Sequence, residues 1–253
     1  MKKYKLTEET ITVGDKTLYR IEALRDFANV KKGDKGGFVE KENNLSQYGD
    51  CWVYDDAKVF GNAVVCGYAR VRGYAQVCGN AQVYGHASVR GNAEVYGSAG
   101  ISCDAQVYDE AKVYDNAEVY DNAEVLGNAE VYDNAKVFEN AEVSFDAKVY
   151  DGAKVYEYAM VQGNAKVYGN AEIRTNACIY GDAVIDSIGD YIVFKNFWSS
   201  GRSFTWTRSN DMWKVGCFYG TGEELIKKAY KDSEISGKEY ERIVKYVETI
   251  KGK

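Results

Sequence analysis

The chain has little of what metal and acid–base chemistry is usually built from. Its 253 residues include one histidine, His86. Its six cysteines show no Cys-x-x-Cys pair and no Cys/His spacing of the kind that holds zinc, so no metal site is expected. No run of about 18 apolar residues occurs, and the opening MKKYKLTEETITV lacks the apolar stretch of a secretion signal, so a cytoplasmic protein with no membrane partner is the expectation. A net charge of −6 argues against general nucleic-acid binding and against an anionic membrane surface.

What is present is a repeat. An alanine recurs at every sixth position from Ala57 to Ala183, and a valine or isoleucine follows it two residues later from Val59 to Ile185, giving 22 repeats without an insertion. A period of six is too short for a helical repeat, whereas Ala-x-Val places its first and third residues on one face of a strand. Each phrase therefore predicts a three-residue strand and a three-residue corner. Three phrases close a triangular coil of 18 residues, and such coils stack at the strand spacing of about 4.8 Å. The second residue after each Val is Gly in half the repeats and Asp in several more, and the third is most often Asn. These types tolerate the left-handed backbone of a sharp corner, and stacked Asn would form ladders that satisfy corner amides. No two cysteines are 18 apart, so no disulfide ladder is expected and the thiols are read as reduced.

The phrase resembles the hexapeptide-repeat family, in which an aliphatic residue is followed four positions later by a small one, as in Val59 and Ala63 or Val119 and Ala123. The resemblance covers the repeat and implies an all-β fold, a left-handed parallel β-helix, commonly assembled as a trimer. The KGGFVE segment, the long AxVYGNA tracts and GCFYGT are similar to hexapeptide transferases of bacterial and prophage genomes, many named for their fold. For a phage-borne member, the resemblance implies interference with a host defence by binding a nucleotide signal or an effector protein.

Outside the repeat, ETITV, GDK and TLYRIEAL predict a β-hairpin turning at Gly14-Asp15, and residues 1–36 are read as a cap over the first coil. The β-helix is assigned to 37–186, with Val39, Leu45 and Cys51 in the alanine register. Residues 187–253 are read as a small α+β domain. There DYIVFKNFW and SFTWTRSNDMWKVGCFYG predict strands, with a turn near Ser209-Asn210-Asp211. Thr221-x-x-Glu224 and Ser236-x-x-Glu239 resemble capping boxes opening two helices, the second carrying Tyr240, Ile243, Val244, Val247 and Ile250 on one face.

Residues 18 apart stack, so outward columns are readable. Lys58, Gln76, Glu94, Lys112, Glu130, Lys148 and Lys166 form one solvating face. Tyr96, Tyr114, Tyr132, Tyr150 and Tyr168 continue Phe60 and Cys78 as an aromatic column, read either as shielding for the corner backbone or as an oligomer or partner interface. A second column runs through Tyr84, Tyr120, Phe138 and Tyr156. From Ala57 to Ala93 there is no acid, while Lys58, Arg70, Arg72 and Arg90 supply positive charge; from Glu94 to Met160 fifteen acids face four lysines. Arg72 and Arg90 stack in one column with Tyr54 and Tyr108 at its flanks, and Arg70 is two residues from Arg72. Guanidiniums so placed suit a phosphate or carboxylate, and tyrosines suit an aromatic base.

Two functions are therefore expected in order. The first is a non-catalytic, oligomeric binding protein with no cofactor, holding a protein partner or a nucleotide-like anion at Arg70, Arg72, Arg90, Tyr54 and Tyr108. The second, implied by the resemblance, is an acyltransferase using acyl-CoA as substrate, with His86 as the sole candidate base. Against it, the prism lacks the interrupting loop that builds the acceptor pocket in such enzymes. The γ-class carbonic anhydrases of the same fold need three histidine ligands and are excluded by the histidine count.

Overall fold

The computed structural model describes residues 2–196 and 200–251. From Lys58–Val59 to Val184–Ile185 every repeat contributes one two-residue strand, and all but the last three pair in parallel with the strand 18 residues on, as in Glu94↔Lys112 and Val95↔Val113. The strands sort onto three faces, one beginning at Lys58, one at Val64 and one at Arg70. Every repeat Ala and every repeat Val or Ile points into the bore and is buried. The bore is narrow because alanine alternates with a β-branched residue, and the branched side chain packs well on a pleated wall.

The corners behave as their composition requires. From Gly61 to Gly181 each residue two past the buried Val or Ile has φ between 56° and 75°, whether it is glycine or not. Asp adds something glycine cannot. Asp55, Asp109, Asp121, Asp133 and Asp151 each accept the backbone N–H of the residue 18 positions on, as in Gly73 N to Asp55 Oδ2 at 2.9 Å. The asparagine ladders exist, but their amides bond one another, as in Asn62 Nδ2 to Asn80 Oδ1 at 3.2 Å, and do not satisfy corner amides. Those N–H groups donate to carbonyls of the next coil instead, Asn62 N to Gly79 O at 2.7 Å.

The entry coil departs from the expected register. Val39 pairs with Val59, and Leu45 bridges Val65, so both occupy the valine register and not the alanine register; Cys51 does lie in the alanine register, with Val53 paired to Val71. Two extra residues therefore fall between Leu45 and Val53. That longer corner receives the N-terminal strand. Lys3 N–H donates to Gln47 Oε1 at 2.8 Å, the buried Lys3 Nζ donates to Cys51 O at 2.9 Å, and the Tyr4 hydroxyl shares its proton between the carbonyls of Glu42 and Leu45, each 2.8 Å away. Tyr4–Val13 and Lys16–Ala23 form the hairpin, and Tyr4, Ile21, Phe27 and Trp52 close the apolar end of the bore.

At the far end, Tyr191–Lys195, Ser203–Thr207, Met212–Val215 and Phe218–Gly220 form an antiparallel sheet. Phe197 and Trp198 of the expected first strand lie outside the described residues. Phe204, Trp206 and Trp213 pack against helix α1, Gly222–Asp232, and helix α2, Glu234–Ile250. Thr221 caps α1 as expected, accepting from Glu224 N–H. The cap of helix α2 lies three residues before Ser236, because the Ser233 hydroxyl accepts the Ser236 N–H while the Ser233 N–H closes α1 on Ala229 O. One residue ends one helix and starts the next, which the box at Ser236 does not reveal. Gly237 lets the pair approach, since a Cβ there would collide with the Tyr230 ring.

Both ends of the prism satisfy backbone groups that a stacked coil would otherwise have met. The buried Asn44 side chain donates to Gly61 O at 3.1 Å and Ala63 O at 2.8 Å. Replacing Asn44 with leucine removes both donors from buried carbonyls and should cost ~1–3 kcal/mol, read by denaturant unfolding, with amide exchange accelerating first in the coils nearest residue 60. At Phe145, an exposed side chain sits at φ 62°. Phe145→Gly relieves the left-handed penalty and should stabilise by about 1 kcal/mol; an unchanged or lower unfolding midpoint would refute that reading of the corners.

Candidate functional site

Tyr54, Arg72, Arg90 and Tyr108 follow the buried Val of four successive strands on the face that begins at Trp52 and Arg70, so the stacking that pairs these strands brings the four side chains into one corner column. The stack resolves into two pairs. The Arg72 guanidinium lies over the Tyr54 ring at 4.7 Å, and that of Arg90 over Tyr108 at 4.0 Å. Each cation lies against the electron-rich face of a ring. The tyrosines are themselves anchored: Tyr54 donates to Asn29 Oδ1 at 2.9 Å and Tyr108 to Glu124 Oε2 at 2.7 Å. Burial, then the bond to Glu124, pushes the Tyr108 phenol well above its usual range, against the pull of Arg90, so it stays a neutral donor.

The charge here is uncompensated. Among the described residues Arg70, Arg72 and Arg90 form no ion pair, and the one side-chain hydrogen bond of the three is a long one, Arg90 to Gln106 Oε1 at 3.4 Å. The nearby carboxylates are occupied elsewhere, Asp55 by the Gly73 N–H and Asp56 by Arg20. Arg72 Nε is buried without a partner, so the hydrogen bonds this guanidinium still has to make run through its terminal nitrogens. Arg70 is exposed on the adjoining strand, paired with Ser88. Ser88 and Gln106 were not singled out in the sequence, yet both follow Arg70 at 18-residue steps, and Ser88 adds a hydroxyl beside the three arginines.

His86 sits elsewhere on the coil, at the corner preceding the Ser88–Val89 strand. It is exposed and stacks flat on Tyr68, with centroids 4.6 Å apart and planes 3° off parallel. Among the described residues its ring has no hydrogen-bond partner to orient it, a feature that a general base ordinarily has. Five coils of stacked tyrosine form the third predicted group: Tyr96, Tyr114, Tyr132, Tyr150 and Tyr168 follow one another at 4.8–5.2 Å. They are half-buried, and Tyr114 donates to Glu130 Oε2 at 2.9 Å. The opposite-charge rungs beside them, such as Lys148 with Glu130 at 2.8 Å, are half-exposed and contribute little, about 0–1 kcal/mol.

All six cysteines are free. Among the described residues no group of three His, Cys, Asp or Glu converges as a metal site, and no helix is long and apolar enough to cross a membrane.

No protein-family model matches the chain. Over 70 residues it is 39% identical to a protein of Escherichia coli K12 named uncharacterized acetyltransferase YdcK, a stretch that is 24% of this chain and 22% of that protein. The matched stretch is thus about a fifth of that relative's length.

Proposed function

For a chain that is a hexapeptide-repeat β-helix protein, we propose a binding function without catalysis: an anionic ligand of nucleotide type, or an acidic patch on a protein partner, is held at Arg70, Arg72 and Arg90. The observation that carries this reading is the pair of guanidiniums laid on Tyr54 and Tyr108 with no carboxylate partner. Two like charges in one column repel, and an oxyanion between their edges converts that repulsion into charge-assisted hydrogen bonds. Ser88 and Arg70 border the same position. The acids that crowd the prism from Glu94 onward would turn an anion away from the rest of its length and toward this end. The tyrosine column fits a subunit interface in a trimer, since half-buried aromatic surface is what such interfaces cover. On this reading a phage-borne copy would act in the cytoplasm by sequestering a nucleotide signal or an effector of host defence.

A second reading, acyl transfer from acyl-CoA with His86 as base, is favoured by the name of the E. coli relative. It is disfavoured by the unoriented His86 ring and by the 22 uninterrupted strands from Lys58 to Ile185.

Titrating the protein with linear and cyclic nucleotides and with acetyl-CoA separates the two. Saturable nucleotide binding that weakens tenfold or more in Arg72→Ala/Arg90→Ala, as loss of charge-assisted hydrogen bonds implies, is the expected result. Binding unaffected by those substitutions would overturn the proposal, and acetyl-CoA turnover abolished in His86→Ala would establish the second reading.

A further inference from the structure

The sheet that closes the far end of the prism has two unlike faces. Along Ser203–Thr207, period-2 alternation sends Phe204 and Trp206 to the helices and leaves Ser203, Thr205 and Thr207 on the other side. Cross-strand pairing puts Lys195 beside Ser203 and Lys214 beside Thr205 on that second face. This polar face meets the last coils. Thr205 Oγ1 accepts the Cys178 N–H at 2.9 Å, so a side chain replaces the carbonyl that a further coil would have supplied, and the hydroxyl proton of Thr205 remains available to donate.

The contact is incomplete, and a cleft of about 390 Å³ remains between the sheet and the coil wall at Met160, Gln162 and Cys178. Three cations line it: Lys195, Arg202 and Lys214. None forms an ion pair with a described residue; Lys214 Nζ lies over the Tyr180 ring at 4.3 Å, held in place by an aromatic face as Arg72 and Arg90 are. No acid is among its described lining residues, and Glu142, whose charge reaches Cys178, already accepts from Ser144 at 2.7 Å and from Gln162 at 2.9 Å. The Cys178 thiol lies 3.8 Å from Gln162 Oε1, to which it donates, and burial pushes it up to about 11 despite the pull of Lys214, so it adds no negative charge at neutral pH.

We propose that this cleft is a second, independent anion site, built for a phosphoryl group of a small molecule and formed by Lys195, Arg202, Lys214 and the hydroxyls of Ser203 and Thr205. Three positive charges call for a multiply charged anion, and Arg202 offers the planar fork that phosphate oxygens accept. The volume lies within the range of small-ligand clefts and accommodates more than a bare phosphate. The cleft wall stands five to six coils from Arg72, on the other side of the acidic stretch, so one small ligand does not span both.

Inorganic pyrophosphate is the probe, titrated calorimetrically into the full chain. The expected result is saturable binding below about 1 mM that weakens at least tenfold in Arg202→Ala and in Lys214→Gln and is unchanged in Arg72→Ala/Arg90→Ala. Arg202 is exposed, so its variant should fold, and circular dichroism checks both. Absence of saturable binding, or binding that Arg202→Ala and Lys214→Gln leave intact, would overturn the proposal. Binding lost only in Arg72→Ala/Arg90→Ala would place the phosphate at the other end and overturn it as well, while supporting the reading given to that end.

Discussion

Everything in this structure depends on a hydrogen-bond ladder that runs along the axis of the prism. Each coil donates its backbone N–H groups to the coil after it, Lys58 to Ala75 O, Gln76 to Ala93 O, Glu94 to Ala111 O, and so on to Lys166 and Ala183 O. A parallel ladder of this kind has no natural stopping point. The first coil presents carbonyls and the last presents N–H groups, and burying either without a partner is costly. The two non-repetitive ends answer opposite demands: Asn44 and Lys3 bring donors to the first coils, while Thr205 and Ser209 bring hydroxyl acceptors to Cys178 and Val184.

The same ladder organises charge. Since side chains 18 residues apart are forced into register, each outward column carries either compensation or conflict. Some rungs compensate, with Lys136 on Glu118, Lys148 on Glu130 and Lys154 beside Glu172. Others stack like charges, as Glu124 on Glu142 and Lys148 on Lys166, and at two places cations gather without carboxylates. At the entry end Arg72 and Arg90 meet only tyrosine faces and an amide, and at the exit end Lys195, Arg202 and Lys214 surround a cleft. The two proposed anion sites rest on these cations, which form no ion pair with a described residue.

How much of this can be read before folding follows from where the ladder is regular. Inside the repeat, position alone decides neighbour, so the Tyr54–Arg72–Arg90–Tyr108 column and the aromatic stack from Tyr96 to Tyr168 are legible from spacing. The left-handed corners are legible too, because Gly and Asp recur where the bend must fall. Legibility ends where the period ends. Nothing in residues 39 to 53 marks the two-residue lengthening that moves Val39 and Leu45 onto the valine register, since it is set by the incoming strand at Lys3 and Tyr4. Ser233 and Ser236 are both plausible helix caps, and only the packing of α1 on α2 selects the former. The exit cleft joins residues from 160 to 216 across two kinds of sheet, and no spacing rule connects Cys178 to Lys214.

The most direct test of a ligand-holding rather than catalytic prism is native mass spectrometry of the full chain purified from cells and gently desalted. Assembly and cargo are read together in one spectrum. The expected result is a trimer that retains a nucleotide-sized anionic mass. A ligand-free assembly that ignores nucleotides but takes up acetyl-CoA and passes on its acetyl group would contradict it.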